Sequence, residues 1–305
     1  MDYHNLVSIC TITYNHENYI AQAIESALFQ KTNFKYILVI AEDCSTDKTR
    51  EICISYKEKY PDKIELIINE KNLGASNNFI NVLNNCRGKF IAICEGDDYW
   101  TDPYKLQKQV DFLEENPEYG LIYSDVEVVN YLGEVLSREE QAILRKTKYC
   151  DGEIFFKLIK NGNCINTLTA CFRRELISDW LKDSHKKKNS YIQDYFLWLL
   201  IVSKTKVKFV NEKAASYRRH PGNISQDPYT IVGRKTWRYS ETLGIEYYIK
   251  HNKLKMANED YISLVKILVM HLFKKRELYL KFVTIKVLVF LSFKFVWRKL
   301  NGRGN

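Results

Sequence analysis

Three times within the first hundred residues an apolar run of strand length passes through a short polar loop into a segment of helical spacing. That rhythm leaves few folds open. Residues 6–13, LVSICTIT, are rich in β-branched side chains and read as a buried strand. After the polar stretch 14–18, Ile20, Ala23, Ile24, Ala27 and Leu28 recur at i, i+3, i+4, i+7 and i+8, the apolar stripe of a helix over 19–30. A second strand is expected at 36–41, with Ser45 or Thr46 placed to cap a helix carrying Ile52 and Tyr56. A third strand (64–68), a turn (69–74), a helix (77–86) closed by Arg87-Gly88, and a fourth strand (90–94) follow. Such alternation argues for parallel βαβ units with right-handed crossovers. Ligands of open α/β sheets bind beyond the carboxyl ends of the strands. The loops after Thr13, Ala41 and Cys94 are therefore expected to share one crevice.

From about residue 121 the rhythm changes. The pattern predicts a strand at 121–129, a charged loop at 134–148, a helix at 154–159 and a strand at 166–172. A mainly apolar helix at 191–202 contains one acid, Asp194, and strands at 206–210 and 214–220 come next. A long helical region begins near 230. With 305 residues, 46% of them hydrophobic, the chain suffices for one large domain or for one domain plus an appendage.

Charge is unevenly placed. Residues 253–305 hold 12 of the 46 Lys and Arg and 3 of the 37 Asp and Glu, so residues 1–252 carry 34 of each. A nucleic-acid-binding core is not indicated, whereas a basic tail suits an anionic surface. The eight cysteines are scattered without a C-x-x-C pair, which favours a reduced, cytoplasmic chain and speaks against zinc. MDYHNL has neither a basic n-region nor an apolar h-region, so no secretory signal is expected.

The fourth strand opens into CEGDDYW, where Glu95, Asp97 and Asp98 place three carboxylates within four positions. Like charges at the mouth of an apolar strand call for a cation. Acids on a glycine-containing turn suit Mn²⁺ or Mg²⁺, which take oxygen ligands and share them with phosphates and water. Such an ion neutralises charge on a diphosphate leaving group. The plainer alternative is a solvated loop with capping aspartates, Asp102-Pro103 having the form of a helix start.

In this order, VSICTITYNHENYI, EDCSTDKT, NLG and FIAICEGDDYWTDPYKL resemble the family 2 glycosyltransferases. The resemblance is strong over residues 5–125, weaker over 150–225 and absent from roughly the last 70. It implies an α/β protein of GT-A type, a mostly parallel Rossmann-like sheet flanked by helices, with a helical C-terminal appendage. Residues 1–125 would form the nucleotide-sugar-binding half, 126–230 the acceptor-binding half and 231–305 the extension. The implied activity is transfer from a UDP-sugar to a saccharide or lipid-linked saccharide acceptor, with inversion, in cell-surface polysaccharide synthesis.

Carried over by position, the resemblance places Thr13, Tyr14 and Asn15 on the nucleoside, with Glu17 just beyond. Asp43 would hold the uracil, beside Glu42; Glu42 and Cys44 stand where the family usually has Asp and Gly. Asp98 would be the main metal ligand and Asp97 would contact ribose, sugar or metal. No donor contact is assigned after Asn72-Leu73-Gly74, because no arginine follows. Asp194 would be the general base, and the apolar run after it favours a desolvated, more basic carboxylate. In SYRRHPGNIS, Arg218 would pair with phosphate and His220 would bind phosphate or metal. Tyr99 and Trp100 would wall the acceptor sugar, or else belong to the core.

Other readings fit less well. A sugar-nucleotide nucleotidyltransferase would carry a Gly-rich basic loop where TYNHE stands, and a dinucleotide oxidoreductase would need G-x-G-x-x-G there. A non-catalytic nucleotide-sugar-binding protein would not need Asp97, Asp98 and Asp194 together. In the tail, 261–273 and 282–297 are apolar but shorter or more interrupted than a membrane span. With their flanking lysines they suit peripheral attachment at the inner face of the cytoplasmic membrane, or packing on the catalytic domain.

Overall fold

The computed structural model describes residues 6–144, 149–182 and 194–223, together with residues 244, 245, 248, 265, 285, 288 and 289. The chain divides into a unit of Met1–Asp227 and a second of Pro228–Asn305. In the second unit the few described residues are helical. The expectations for 253–305 as a whole lie outside the described residues. Among those described, no helix is long and apolar enough to cross a membrane.

The first unit opens as its sequence rhythm implies. β1 (Val7–Thr13), β2 (Tyr36–Glu42), β3 (Ile64–Ile68) and β4 (Phe90–Ile93) are parallel neighbours, joined by α1 (Ile20–Leu28), α2 (Thr49–Lys59) and α3 (Ala75–Asn85). The five apolar residues of α1 at helical spacing are its five buried residues, and they join Ile9, Leu38 and Phe90 in one core. β1 lies between β2 and β4. The sheet therefore changes winding direction at the gap between the carboxyl ends of β1 and β4, where ligand crevices of this architecture form.

β4 leads through the acidic loop to the short β5 (Tyr99–Trp100) and to α4 (Lys105–Glu115). β6 (Tyr119–Val129), β7 (Cys171–Arg173) and β8 (Lys206–Arg218) complete a sheet ordered β3-β2-β1-β4-β7-β6-β8-β5. β7 runs antiparallel to β4 and β6, β8 runs parallel to β6, and β5 runs antiparallel to β8. Between β6 and β7 lie α5 (Arg138–Leu144) and α6 (Phe155–Asn161); α7 (Glu175–Lys182) and α8 (Asp194–Val202) lie between β7 and β8.

Four local expectations are corrected, each for a readable reason. The charged stretch 134–148 contains helix α5, because Ser137 and Glu140 form a reciprocal capping box: each backbone N–H meets the other's side chain, at 2.9 and 3.2 Å. Residues 166–172 are not one strand. The Thr169 hydroxyl and the Asn166 amide donate to backbone carbonyls, which favours a 3₁₀ turn at Thr167–Thr169 and leaves only β7 extended. The polar Asn211-Glu212-Lys213 does not end a strand. It is an irregularity within β8, the pairing with β6 jumping from Ser124–Val210 to Asp125–Lys213. Finally, Asp47 rather than Ser45 or Thr46 receives the first N–H of α2, that of Thr49, at 2.9 Å.

α4 buries an unusual charge. The Lys105 amine lies 4.1 Å from the Trp100 ring centre and donates to Gln109 Oε1 at 2.8 Å. Burial pushes its pKa down to about 8. A depressed lysine pKa opposes folding most below pH 8, and the penalty disappears as pH rises from 8 toward the unfolded value near 10.5. The size of that swing is about 3 kcal/mol. Lys105→Met should therefore gain stability relative to the wild type at pH 7, and that advantage should shrink by pH 10. Denaturant melts of both proteins across this range measure it; a pH-independent difference would show that the amine is not desolvated.

Candidate active site

The three loops expected to converge do so, and hydrogen bonds sew the first two together. Asn15 N–H donates to Ser45 Oγ (3.0 Å), and Asn15 Oδ1 accepts from Thr46 N–H (2.8 Å). His16 N–H donates to Thr49 Oγ1 (2.8 Å). Glu17 N–H donates to Asp47 Oδ2, and Glu17 Oε2 accepts from Lys48 N–H, both at 3.0 Å. Two of these turns use left-handed backbone: Asn15 has φ 55° and Cys44 has φ 60°. Asparagine tolerates this region well, whereas cysteine stands in a conformation that favours glycine.

The acidic loop is pressed against β1. Gly96 N–H donates to Ile12 O at 3.0 Å, and a Cβ on Gly96 would lie 2.8 Å from the Thr13 side chain, so only glycine fits. From this loop Asp97 reaches a cluster. Its Oδ2 lies 3.0 Å from His220 Nε2, 3.1 Å from the Asn223 amide and 4.0 Å from His16 Nε2. The ligand atoms of His16, Asp97 and His220 all lie within 4.8 Å of one another. Two imidazole nitrogens and a carboxylate oxygen form a donor set that fits a divalent cation. Burial acts to raise the Asp97 carboxyl, but the His220 hydrogen bond and the two histidines more than offset it and hold Asp97 below the usual carboxylate range. Burial lowers the His16 pKa, against the attraction of Asp97.

The neighbouring acids behave oppositely. Burial, then repulsion from Asp97, pushes both Glu95 and Asp98 well above the usual range. Asp98 faces β8, with Oδ1 accepting from Arg218 N–H at 2.7 Å. Its ligand atoms do not belong to the His16–Asp97–His220 group. Asp194, in α8, is close enough to Glu95 to raise it by like-charge repulsion. Burial also raises Asp194, against a 2.6 Å hydrogen bond from the Thr167 hydroxyl and a 2.7 Å bond from Tyr195 N–H.

The other candidate residues take varied places. Tyr14 is 41% exposed at the crevice mouth, while Thr13 is buried with its hydroxyl 3.3 Å from His16 Nδ1. Asp43 is buried; its Oδ1 accepts from the Asn69 side-chain amide and from Leu73 N–H, and its Oδ2 from Gly74 N–H. Glu42 is fully buried and holds Arg50 (2.6 Å) and Ser45 N–H, a framework position. Arg218 is 3% exposed, and its guanidinium lies between the rings of Tyr19 and Tyr99, at 4.8 and 5.3 Å. It donates to Asp97 O, Gln22 and Tyr131 O, so it fastens the loop from within. Trp100 belongs to the core, not to an acceptor wall: it is 4% exposed and its indole N–H donates to Leu168 O. Tyr99 is half-buried. His16, Tyr19 and Asn223 escaped the sequence reading. His16 lies inside TYNHE, one residue from two candidates, and that adjacency was the available signal.

The chain belongs to glycosyl transferase family 2, whose model matches residues 8–179. A Mycobacterium tuberculosis protein of uncharacterised function is 34% identical over 231 residues, 76% of this chain and 63% of that relative, so the chain spans less than two thirds of the relative's length. WfgD of Escherichia coli, named a UDP-Glc:α-D-GlcNAc-diphosphoundecaprenol β-1,3-glucosyltransferase, is 28% identical over 233 residues, 75% of this chain and 83% of WfgD. The structure of S. aureus TarS with UDP-GlcNAc has a TM-score of 0.60 at 17% identity, covering 93% of this chain and 80% of TarS. That likeness establishes the GT-A fold.

The left-handed Cys44 gives a direct test of the second loop. A non-glycine residue in this region costs about 1–2 kcal/mol, offset in part by the about 0.5–1 kcal/mol that glycine adds in chain entropy. Cys44→Gly is expected to raise stability by up to about 1 kcal/mol, and Cys44→Val to lower it by more than about 1 kcal/mol. Urea midpoints give the order; a stabilised valine variant would mean that the turn is not left-handed.

Proposed function

We propose that this protein is an inverting glycosyltransferase that moves a sugar from a UDP-sugar to a saccharide or lipid-linked saccharide in cell-surface polysaccharide synthesis. One observation carries the reading: a His16–Asp97–His220 cluster able to hold a cation and a desolvated carboxylate, Asp194, come together beside the acidic loop at the β1–β4 switch point. The names of WfgD and TarS's ligand, UDP-Glc and UDP-GlcNAc, support a UDP donor.

Asp97 and His220 would hold Mn²⁺ or Mg²⁺, which when bound supplies charge neutralisation for the departing diphosphate. Asp98 has a different part here from the main ligand first expected: it fixes the Arg218 backbone and so the position of His220 two residues on. Exposed Tyr14, with the Asn15–Thr46 loop pair, would form the nucleoside floor, and Tyr99 would face the acceptor. Asp194 would take the proton from the acceptor hydroxyl as that oxygen attacks the anomeric carbon, and Thr167 orients the carboxylate through Oδ2. The basic C-terminal segment would meet anionic lipid at the inner face of the cytoplasmic membrane. Release of UDP by the full chain, across a panel of UDP-, GDP- and TDP-sugars, tests the class. Transfer from GDP- or TDP-sugars alone would reassign the donor.

Two variants test the base. Asp194→Asn should bind UDP normally and lose at least about a hundredfold in transfer. The working form is ionised, so activity should fall as pH drops through a carboxyl pKa above the ordinary aspartate value. The Thr167 hydrogen bond lowers that pKa, so Thr167→Val should move the acid limb of kcat to higher pH. A limb that stays fixed, or moves lower, would place the base elsewhere.

A further inference from the structure

We propose that His16 is the third protein ligand of the cation and makes this site prefer transition ions such as Mn²⁺ and Co²⁺ to Mg²⁺. The inference rests on the metal-assisted reading above and adds to it a ligand and a selectivity.

The geometry is close to what ligation needs. Asp97 Oδ2 sits between the two histidines, 3.0 Å from His220 Nε2 and 4.0 Å from His16 Nε2. Two donors bound at about 2.1 Å to one ion are at most about 4.2 Å apart. The group already lies within 4.8 Å, so side-chain adjustments of well under an ångström complete it.

His16 is also held as ligating histidines are held. Its Nδ1 lies 3.3 Å from Thr13 Oγ1. With Nδ1–H donating to that hydroxyl, the Nε2 lone pair is left for the cluster, an outer partner that fixes both tautomer and ring orientation. Its backbone is anchored on both sides: its N–H donates to Thr49 Oγ1, and its carbonyl accepts from Tyr19 and Ile20 at the start of α1. The ring meets His220 edge-on at 5.8 Å, and Tyr19 packs on His220 at 4.8 Å. Each of the three donors thus comes from a separately braced segment. Asp97 is braced by Gly96 on β1, His220 by its N–H to Asn223 Oδ1, and His16 by the stitched loop.

The donor set then decides the ion. Mg²⁺ favours octahedral oxygen, keeps its waters and is usually held by one or two carboxylates plus substrate phosphate. Imidazole nitrogen is a poor ligand for it and a good one for first-row transition ions. Three protein donors also suffice to retain such an ion before any nucleotide arrives. A site of Asp97 and His220 alone would lean more on the diphosphate.

The test uses the full chain, stripped with chelator and titrated without nucleotide. Free Mn²⁺ is followed by electron spin resonance, Co²⁺ by visible absorption and Mg²⁺ by competition. Wild type should bind Mn²⁺ without UDP at least about tenfold more tightly than Mg²⁺, and His16→Asn should reduce Mn²⁺ affinity by at least about tenfold while changing Mg²⁺ little. Should the variant not fold, electron spin-echo modulation of Mn²⁺ in the wild type counts the coupled imidazoles; two support the proposal. One coupled imidazole, or an unchanged Mn²⁺/Mg²⁺ preference in folded His16→Asn, overturns it while leaving the metal-assisted reading intact. If His220→Asn and wild type alike bind no ion with or without UDP, that reading fails as well.

Discussion

Three carboxylates gathered at the end of β4 repel one another, and much of the molecule's longer-range connectivity is arranged to contain them. The remedy comes from residues about 120 positions later. β8 pairs with β6 and β5 and so brings Arg218 and His220 back to the acidic loop. Arg218 offers its backbone N–H to Asp98 and its guanidinium to the Asp97 carbonyl, while lying between Tyr19, which precedes α1, and Tyr99 of β5. A cation buried to this extent is costly unless it is well partnered. Here it is partnered on every side, and it ties the entrance of α1, the acidic loop and the last strand into one body.

The second constraint is close approach. β1 ends where three loops begin: Thr13 O accepts from Asp43 N–H, and Ile12 O accepts from Gly96 N–H. Glycine at 96 lets the acidic loop lie on β1, and the left-handed backbone at Asn15 and Cys44 turns the other two loops toward each other. The Asn15–Ser45–Thr46 bonds then tie those loops to each other. Preorganisation of the crevice is thus built from backbone geometry as much as from charged side chains.

Much of this was legible in the chain, and what was not has a physical cause. Helical periodicity marked α1 residue by residue, and the apolar runs marked β1 to β4, because each pattern reports burial directly. The acidic loop stood out because like charges beside a buried strand need an explanation. Arg218 was legible only in part: its sequence neighbours resemble a phosphate-binding segment, and nothing local reveals that two tyrosines distant in sequence enclose its guanidinium. For Trp100 the sequence left acceptor wall and core open, because the partner carbonyl that decides for the core, at Leu168, lies 68 residues on. His16 was passed over because a single histidine carries no periodicity, and its meaning appears only when the sheet sets it beside Asp97. The capping box at Ser137 was written in the sequence and was hidden by the charged stretch around it.

The site's acids also divide by environment rather than by type. Asp97 is drawn below the usual range by two histidines, whereas Glu95, Asp98 and Asp194 are driven upward by burial. Carboxyl groups pushed in opposite directions within one crevice are the arrangement that lets a single site hold positive charge at one place and accept a proton at another. Asp97 remains ionised where a cation would sit. Asp194, followed in its helix by described residues that are all buried, keeps a proton affinity that an exposed aspartate lacks. His220 widens the separation, because its hydrogen bond lowers Asp97, whereas the neutral Thr167 hydroxyl lowers Asp194 and only partly offsets the burial that raises it. Because the hydroxyl brings no charge, Asp194 is oriented without losing the basicity that desolvation gives it.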